Sequence, residues 1–561
     1  MINLRRVFGL RGSAELWAAA SIFLLQAFLK IWAVFHFRFD TDESQHLHVI
    51  WAWTHGLVQY RDVFDNHMPL FQLLCAPLLA LMGEHARDLY WMRLLMLPLY
   101  FLSFYFIFRI GALVFSRRVG TWSALGAGCC GGYFFCSTEF RTDNLWALFW
   151  LMSIFVLLRG ALRWRQALVA GLLLGLAFAV SMKSTLMLVA LVAAGAVSLA
   201  MLGGRSVFQH RRAIAASAGA FLVAMLTPPL AVIGYFAVNG VWPAMRYCVF
   251  LHNLGGPIAS NFGWRLLSFS IGLALLLYCV RKFSRAAQSP SGAFRRAFLS
   301  TACGMYYASL LCFWRHITRQ DFLPFYPLAM LLVIGGLSAL SQRWERKTFL
   351  RPVLLHFSAP AVAVALTLFL TLLPAVPLKN QARSEIDLVR KVLAVSKPGD
   401  VFFDCKGETV FRPRAVYEVF EGLTNERIAA GKISEDVPRA CAAAQAGFAA
   451  MSGRLPDACR RFVKSNYLPV GHGLRAAGSL LPPPASPEED APFSIAIPGE
   501  YVVVQANGKA AGTLDGLRYD GARFLAQGMH VFRATTPGER LAVIWAAAAH
   551  RRLNPFSLPA A

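Results

Sequence analysis

The sequence predicts an all-α polytopic membrane bundle of about eleven transmembrane helices, followed by a C-terminal mixed α/β soluble domain. Three observations predict it. The 561 residues are 57% hydrophobic and only 15% charged, with a mean hydropathy of +0.50, outside the soluble norm. Apolar runs such as Leu16–Phe35 and Ala213–Val238 reach the ~20 residues that cross ~30 Å of hydrocarbon. From about residue 377 the composition changes, and the remaining stretch to residue 561 is long enough for a domain of its own.

Taken in order, the apolar runs predict helices over 13–36, 91–115, 119–138, 143–159, 166–182, 184–203, 213–238, 264–280, 297–313, 323–341 and 354–376. The first run lacks a small-residue cleavage pattern and reads as an uncleaved anchor. Segment 69–82 is apolar but short and flanked by Pro, and reads as re-entrant or interfacial. Arg-rich groups (Arg5/Arg6/Arg11, Arg117/Arg118, Arg159/Arg163/Arg165, Arg205/Arg211/Arg212, Arg281/Lys282/Arg285 with Arg295/Arg296, and Arg343/Arg346/Lys347/Arg351) fall at alternate loops. The positive-inside rule then sets the N-terminus in the cytoplasm. The net charge of +25 is thereby a topology signal, and a nucleic-acid partner is excluded.

This threading divides the chain into a membrane domain, 1–376, and a C-terminal domain, 377–561, expected in the periplasm of a bacterial inner membrane. The outer face receives loop 37–90, the Glu139–Asp143 corner, the Met182–Ser184 corner, 239–263, 314–322 and the tail. In the tail, 381–397 reads as an amphipathic helix, and Val401-Phe402-Phe403 as a short strand. Residues 493–497, 499–504 and 541–545 read as further strands, with a turn at Asn507-Gly508. The Pro-rich stretch near 480–491 reads as a linker. If the tail faces an oxidising compartment, one disulfide can form among Cys405, Cys441 and Cys459, leaving one thiol over.

Chemistry concentrates on the outer face. Residues 37–90 carry seven carboxylates (Asp40, Asp42, Glu43, Asp62, Asp65, Glu84, Asp88) against three arginines. A helix starting near Thr41 sets Asp42 and His46 on one face at i,i+4. Asp42 reads either as a base for an acceptor hydroxyl or as first-turn acid behind a Thr41 N-cap. Asp65-Asn66-His67 reads either as two ligands of a divalent metal or as an Asx-type turn before Pro69. Arg141 with Asp143 or Glu139 is either a structural pair or a site element. Lys183 either snorkels or contacts a phosphate. His316 and Arg319, with Arg315, add positive charge where the topology rule predicts little, and guanidinium suits phosphate.

The order of these elements resembles the GT-C membrane glycosyltransferases. It comprises an Asp-Glu pair (Asp42-Glu43) in the first outer loop, then Phe64-Asp65-Asn66-His67-Met68-Pro69. Arg141-Thr142-Asp143 follows before the fourth helix, and Lys183 stands at the end of the fifth. The stretch Tyr60–Glu84 is the most specific part, and the resemblance covers roughly 10–340. The branch it resembles is that of bacterial relatives of protein O-mannosyltransferases and aminoarabinose lipid A transferases. The resemblance implies inverting transfer of a hexosyl or pentosyl group from a polyprenyl-phosphate sugar. It implies Asp42 as base with Glu43 beside it, and an acidic metal or phosphate contact at Asp65. Some relatives have Lys where Asn66 stands, which moves phosphate binding toward His67, Lys183 or Arg319. Arg141 and Asp143 match an element that organises the site.

The reading is therefore a glycosyltransferase acting at the periplasmic face, with a lipid, glycan or protein acceptor. Membrane lipids surround the bundle, and a divalent metal is the one cofactor in question. A transporter or lipid flippase predicts charges near the midplane, broken helices and repeats; no repeat is visible in the sequence.

Overall fold

The computed structural model describes residues 4–556, apart from 161–162, 203–207, 255–261, 286, 288, 315, 345–358, 435, 484–485, 487–488, 507–509 and 537. The Asn507-Gly508 turn, Arg315 and parts of the 354–376 helix and the 480–491 linker lie outside the described residues. Five described helical stretches are long and apolar enough to cross a membrane: Ser13–His36, Asp88–Val114, Thr142–Gly160, Ser184–Met201 and Arg211–Val238. Trp164–Val180, Phe325–Ser341 and Ala359–Ala375 are apolar but shorter.

The helix expected over 119–138 is two, Arg117–Cys129 and Gly131–Cys136, broken at Cys130 with extended backbone. Every residue from Val119 to Cys129 is buried. Its glycines set that position: a Cβ on Gly120 would lie 2.3 Å from the Phe108 carbonyl oxygen of the Met96–Val114 helix. The first helix is tied to this inner pair by buried polar groups. Glu15 accepts from Arg118 and Trp122, and Lys30 donates to the Phe134 carbonyl and to Ser137 Oγ.

Segment 69–82 forms one helix, Leu70–Met82, against Thr41–Thr54. Its outward row of Leu73, Leu74, Leu78 and Leu81 is exposed, as suits an interfacial helix. The helix at the start of the outer loop is capped by Asp40, one residue before the Thr41 expected. Asp40 accepts from Asp42 N, and Glu43 reaches back to Asp40 N at 2.8 Å, a capping box.

The tail begins with the amphipathic helix Arg383–Val395. Its seven-stranded sheet runs Phe402–Phe403, Phe448–Ala450, Leu474–Leu481, Leu541–Trp545, Gly499–Gln505, Arg523–Leu525, with Tyr467–Gly471 also on Leu474–Leu481. The first pair is parallel and the others antiparallel. A second sheet of four strands runs Asp490–Ile495, Gly528–Ala534, Gly512–Leu514, Leu517–Arg518. The strands before and after the stretch near 480–491 are interleaved, because Leu541–Trp545 returns to the middle of the first sheet. Cys405, Cys441 and Cys459 form no disulfide.

The tail does not hang free. Ala382, Ile386, Val389, Val410 and Phe411 belong to the same apolar core as Leu47, Ile50 and Trp51 of the Thr41–Thr54 helix. Arg412 pairs with Glu84 at 2.9 Å, and His48 Nδ1 contacts the Val410 carbonyl at 2.7 Å.

Arg93 is the pivot of this packing. Fully buried, it meets both Glu43 oxygens at 2.6 Å and donates to the carbonyls of Val34, Phe37 and Arg38. Replacing Arg93 by Met leaves the Glu43 charge buried without its partner, at a cost of about 3–5 kcal/mol. The thermal midpoint of the purified Arg93→Met protein should fall sharply, and adding Glu43→Gln should recover part of the loss.

Candidate active site

The site grows from the first turn of the Thr41–Thr54 helix. Asp42 and Glu43 are neighbours in sequence and point about 100° apart around the helix axis. Glu43 turns inward, where Arg93, the Asp40 amide and the Phe140 amide occupy its oxygens. Asp42 turns toward the tail and pairs with Arg141 Nη1 and Lys406 Nζ. Burial alone would raise its carboxyl; Arg141 and Lys406 outweigh that and hold it well below 3.8.

One turn on, His46 is buried beside His67, with ring centroids 4.7 Å apart. Burial and the neighbouring His67 push its pKa well below 6.5, so it is neutral and free to act as a ligand. Its Nε2 is buried without a hydrogen-bond partner. Asp65 is buried and fully engaged. One oxygen accepts from His67 N at 3.0 Å and lies 2.8 Å from His67 Nδ1; the other accepts from Gln59 and Gln72 at 2.7 and 2.9 Å. Donor atoms of His46, Asp65 and His67 lie within 4.8 Å of one another, the one such metal-compatible group among the described residues. The Asx-type contact and the ligand set expected from the sequence therefore coexist at Asp65.

Arg141 links three carboxylates: Asp40 at 3.0 Å, Asp143 at 3.1 Å and Asp42. Lys183 joins Asp143 at 3.3 Å to Asp321 at 2.5 Å, and these carboxylates outweigh burial to raise its pKa. His316 and Arg319 are exposed. His316 meets Glu426 at 3.9 Å. It is Gln320 and Asp321 of that turn that reach inward, Gln320 onto Glu139 at 2.7 Å.

Residues far along the chain complete the cluster. Glu421 accepts from Lys406 and Asn66, each at 3.0 Å, and lies 3.2 Å from His252 Nε2. Burial works against its charge, yet Lys406 and His252 bring its pKa down to about 2. Sequence reasoning did not single out Lys406, Glu421, Asp321, His252, Gln59 or Gln72. Asp321 alone had a local signal, a Thr318-x-x-Asp321 box around a short turn.

Residues 66–231 match the family described as dolichyl-phosphate-mannose-protein mannosyltransferase. Asn66, His67, Arg141, Asp143 and Lys183 lie within that match. The match, to part of the membrane domain, supports membership of the GT-C superfamily of membrane glycosyltransferases. No curated protein matches the chain. Among solved structures, it is similar to an oligosaccharyltransferase of Archaeoglobus fulgidus, AglB, in complex with an inhibitory peptide and a dolichol-phosphate. That likeness has 12% identity, a TM-score of 0.42, and coverage of 72% of this chain and 65% of the other. The Archaeoglobus fulgidus enzyme in complex with Zn and sulfate gives 13% identity, a TM-score of 0.40, and coverage of 70% and 62%. The chain spans less than two thirds of the length of either structure.

Burial lifts the Glu139 carboxyl from 4.5 to about 7 against the pull of Arg141. A raised carboxyl binds its proton more tightly in the folded chain. Its contribution to stability is therefore fully present below 4.5 and is lost as pH rises through about 7. Glu139→Gln should flatten the decline of the thermal midpoint across that window, and an unchanged slope would assign the decline to another group.

Proposed function

We propose that this chain is an inverting glycosyltransferase that moves one sugar from a polyprenyl-phosphate donor to a lipid, glycan or protein acceptor. In this reading it works at the periplasmic face of a bacterial inner membrane. One observation carries it: Asp42, at the head of the first loop helix, is an ionised carboxylate held by Arg141 within a buried ion cluster. That cluster sits where the apolar helices meet the tail. An ionised carboxylate at this place can take the proton of an acceptor hydroxyl. The acceptor oxygen then attacks the anomeric carbon from the face opposite the phosphate, and the carbon–phosphate-oxygen bond breaks. The proton goes to Asp42, and the polyprenyl phosphate leaves with the bonding pair.

Glu43 has no part in that step, because its oxygens are already occupied by Arg93 and two backbone amides. Arg141 and Asp143 hold Asp42 in place. Lys183, balanced by two carboxylates, braces the corner from behind. His316 and Arg319 stay at the exposed rim, available to a headgroup or acceptor.

The orphaned Nε2 of His46, with Asp65 and His67, fits a divalent metal by donor type and spacing. Charge agrees: Asp40, Asp42, Asp65, Asp143, Asp321 and Glu421 outnumber the cations Arg141, Lys183 and Lys406 paired with them. A bound divalent ion would supply positive charge for the departing phosphate. His46 and His67 would present ring nitrogens to it, and Gln59 and Gln72 orient Asp65.

Asp42→Asn keeps the shape and removes the base. Sugar transfer from a polyprenyl-phosphate donor should drop by about 10²–10⁴-fold, with the thermal midpoint retained; a folded variant with wild-type transfer would sink the assignment. Elemental analysis of purified protein after metal loading should find one divalent ion per chain, lost in His46→Ala. Equal metal content in both proteins would remove the metal from this site.

A further inference from the structure

Beyond the charge a bound metal would supply, the donor's phosphate calls for a side-chain cation, and those of the membrane part are committed. Arg141 is divided among Asp40, Asp42 and Asp143. Withdrawing Lys183 would strip Asp321 of its cation, and among the described residues no second one pairs with it. His316 and Arg319 are exposed on the 316–322 segment.

Lys406 is shared by two carboxylates, each of which has a further partner. Its side chain is only 4% exposed, between Asp42 and Glu421. If it moves away, Asp42 keeps Arg141, and Glu421 keeps Asn66 Nδ2 and His252. Lys406 can thus leave its resting place without stranding either carboxylate. Beside it, Asn66 Oδ1 and His252 Nδ1 are buried without hydrogen-bond partners.

The loop that carries it is rigid where the side chain is not. Asp404 accepts from Gly407 N, Thr409 N, Thr409 Oγ1 and Arg414 Nε at 2.7–3.0 Å. Gly407 has φ +87°, and a Cβ there would lie 3.0 Å from His48 Cβ. The backbone is therefore pressed against the Thr41–Thr54 helix, while the four-carbon lysine stem can swing. An ammonium on a fixed base and a flexible stem suits phosphate as a point charge.

We propose that Lys406 is a donor-phosphate-binding residue contributed by the tail. At rest it lies on Asp42 and Glu421; when a polyprenyl phosphate arrives it moves to the phosphate oxygens and uncovers Asp42 for the acceptor. This rests on the donor class proposed above. It makes substrate arrival and base activation one event, since Asp42 becomes more basic on losing one of its two cations.

The test uses the full chain in lipid nanodiscs, titrated with undecaprenyl phosphate and, separately, with undecaprenol. Wild type should prefer the phosphate. Lys406→Met should weaken phosphate binding by at least about tenfold and leave the alcohol unchanged, while Lys406→Arg retains part of the preference. Glu421→Gln removes a resting partner and should bind the phosphate as tightly as wild type or more tightly. Lys406→Met binding the phosphate like wild type overturns the inference. Glu421→Gln losing as much as Lys406→Met also overturns it, since the pair would then be a structural latch. Wild type binding both probes equally overturns the donor class itself.

Discussion

The buried pair of Arg93 and Glu43 is the interaction on which the rest of the site depends. One guanidinium collects the last carbonyls of the first helix and both oxygens of Glu43, and Glu43 in turn holds the amides of Asp40 and Phe140. The end of the first helix, the start of the loop helix and the corner before Arg141 are thereby pinned to one point. A buried charge pair of this kind contributes less to net stability than its contacts suggest. What it contributes is register: it fixes which way the helix starts, and so which of two adjacent carboxylates faces the site.

The second constraint is charge balance in a confined space. Ion pairs in the cluster share partners, so each carboxylate or cation is tuned by several others. Asp42 stays ionised because two cations outweigh its burial, whereas at Glu139 burial, reinforced by Glu43 and Asp40, outweighs Arg141 and pushes the carboxyl the other way. Two carboxylates of the same cluster thus titrate in opposite directions, a separation that lets one region hold a base and a neutral acid near neutral pH.

Much of the membrane half was legible because its signal is local. A run of ~20 apolar residues needs no partner to be recognised, and the first helix spans Ser13–His36 as expected. The Asp42–His46 face followed from helical spacing alone. The break at Cys130, where the backbone turns extended, was not legible, since the apolar run continues through it. Lys406 was invisible for a related reason: it meets Asp42 across 364 positions of sequence, and nothing in its own neighbourhood marks it as a site residue. At 316–321 the sign of charge misled. The exposed Arg319 drew attention, while Asp321, two residues on, is the residue whose side chain goes inside.

The central position of Leu541–Trp545 in the tail sheet gives the order in which the molecule becomes whole. The strand that supports Lys406 lies at one end of that sheet and reaches Leu474–Leu481 through Phe448–Ala450, whereas Gly499–Gln505 and Arg523–Leu525 join it only through residues 541–545. The membrane helices can insert one after another long before that. The ion cluster is therefore closed only after the membrane helices, by the piece of chain that carries Lys406 and Glu421. A partly made molecule would sit in the bilayer with Asp42 paired only to Arg141, its site open on the side the tail will cover.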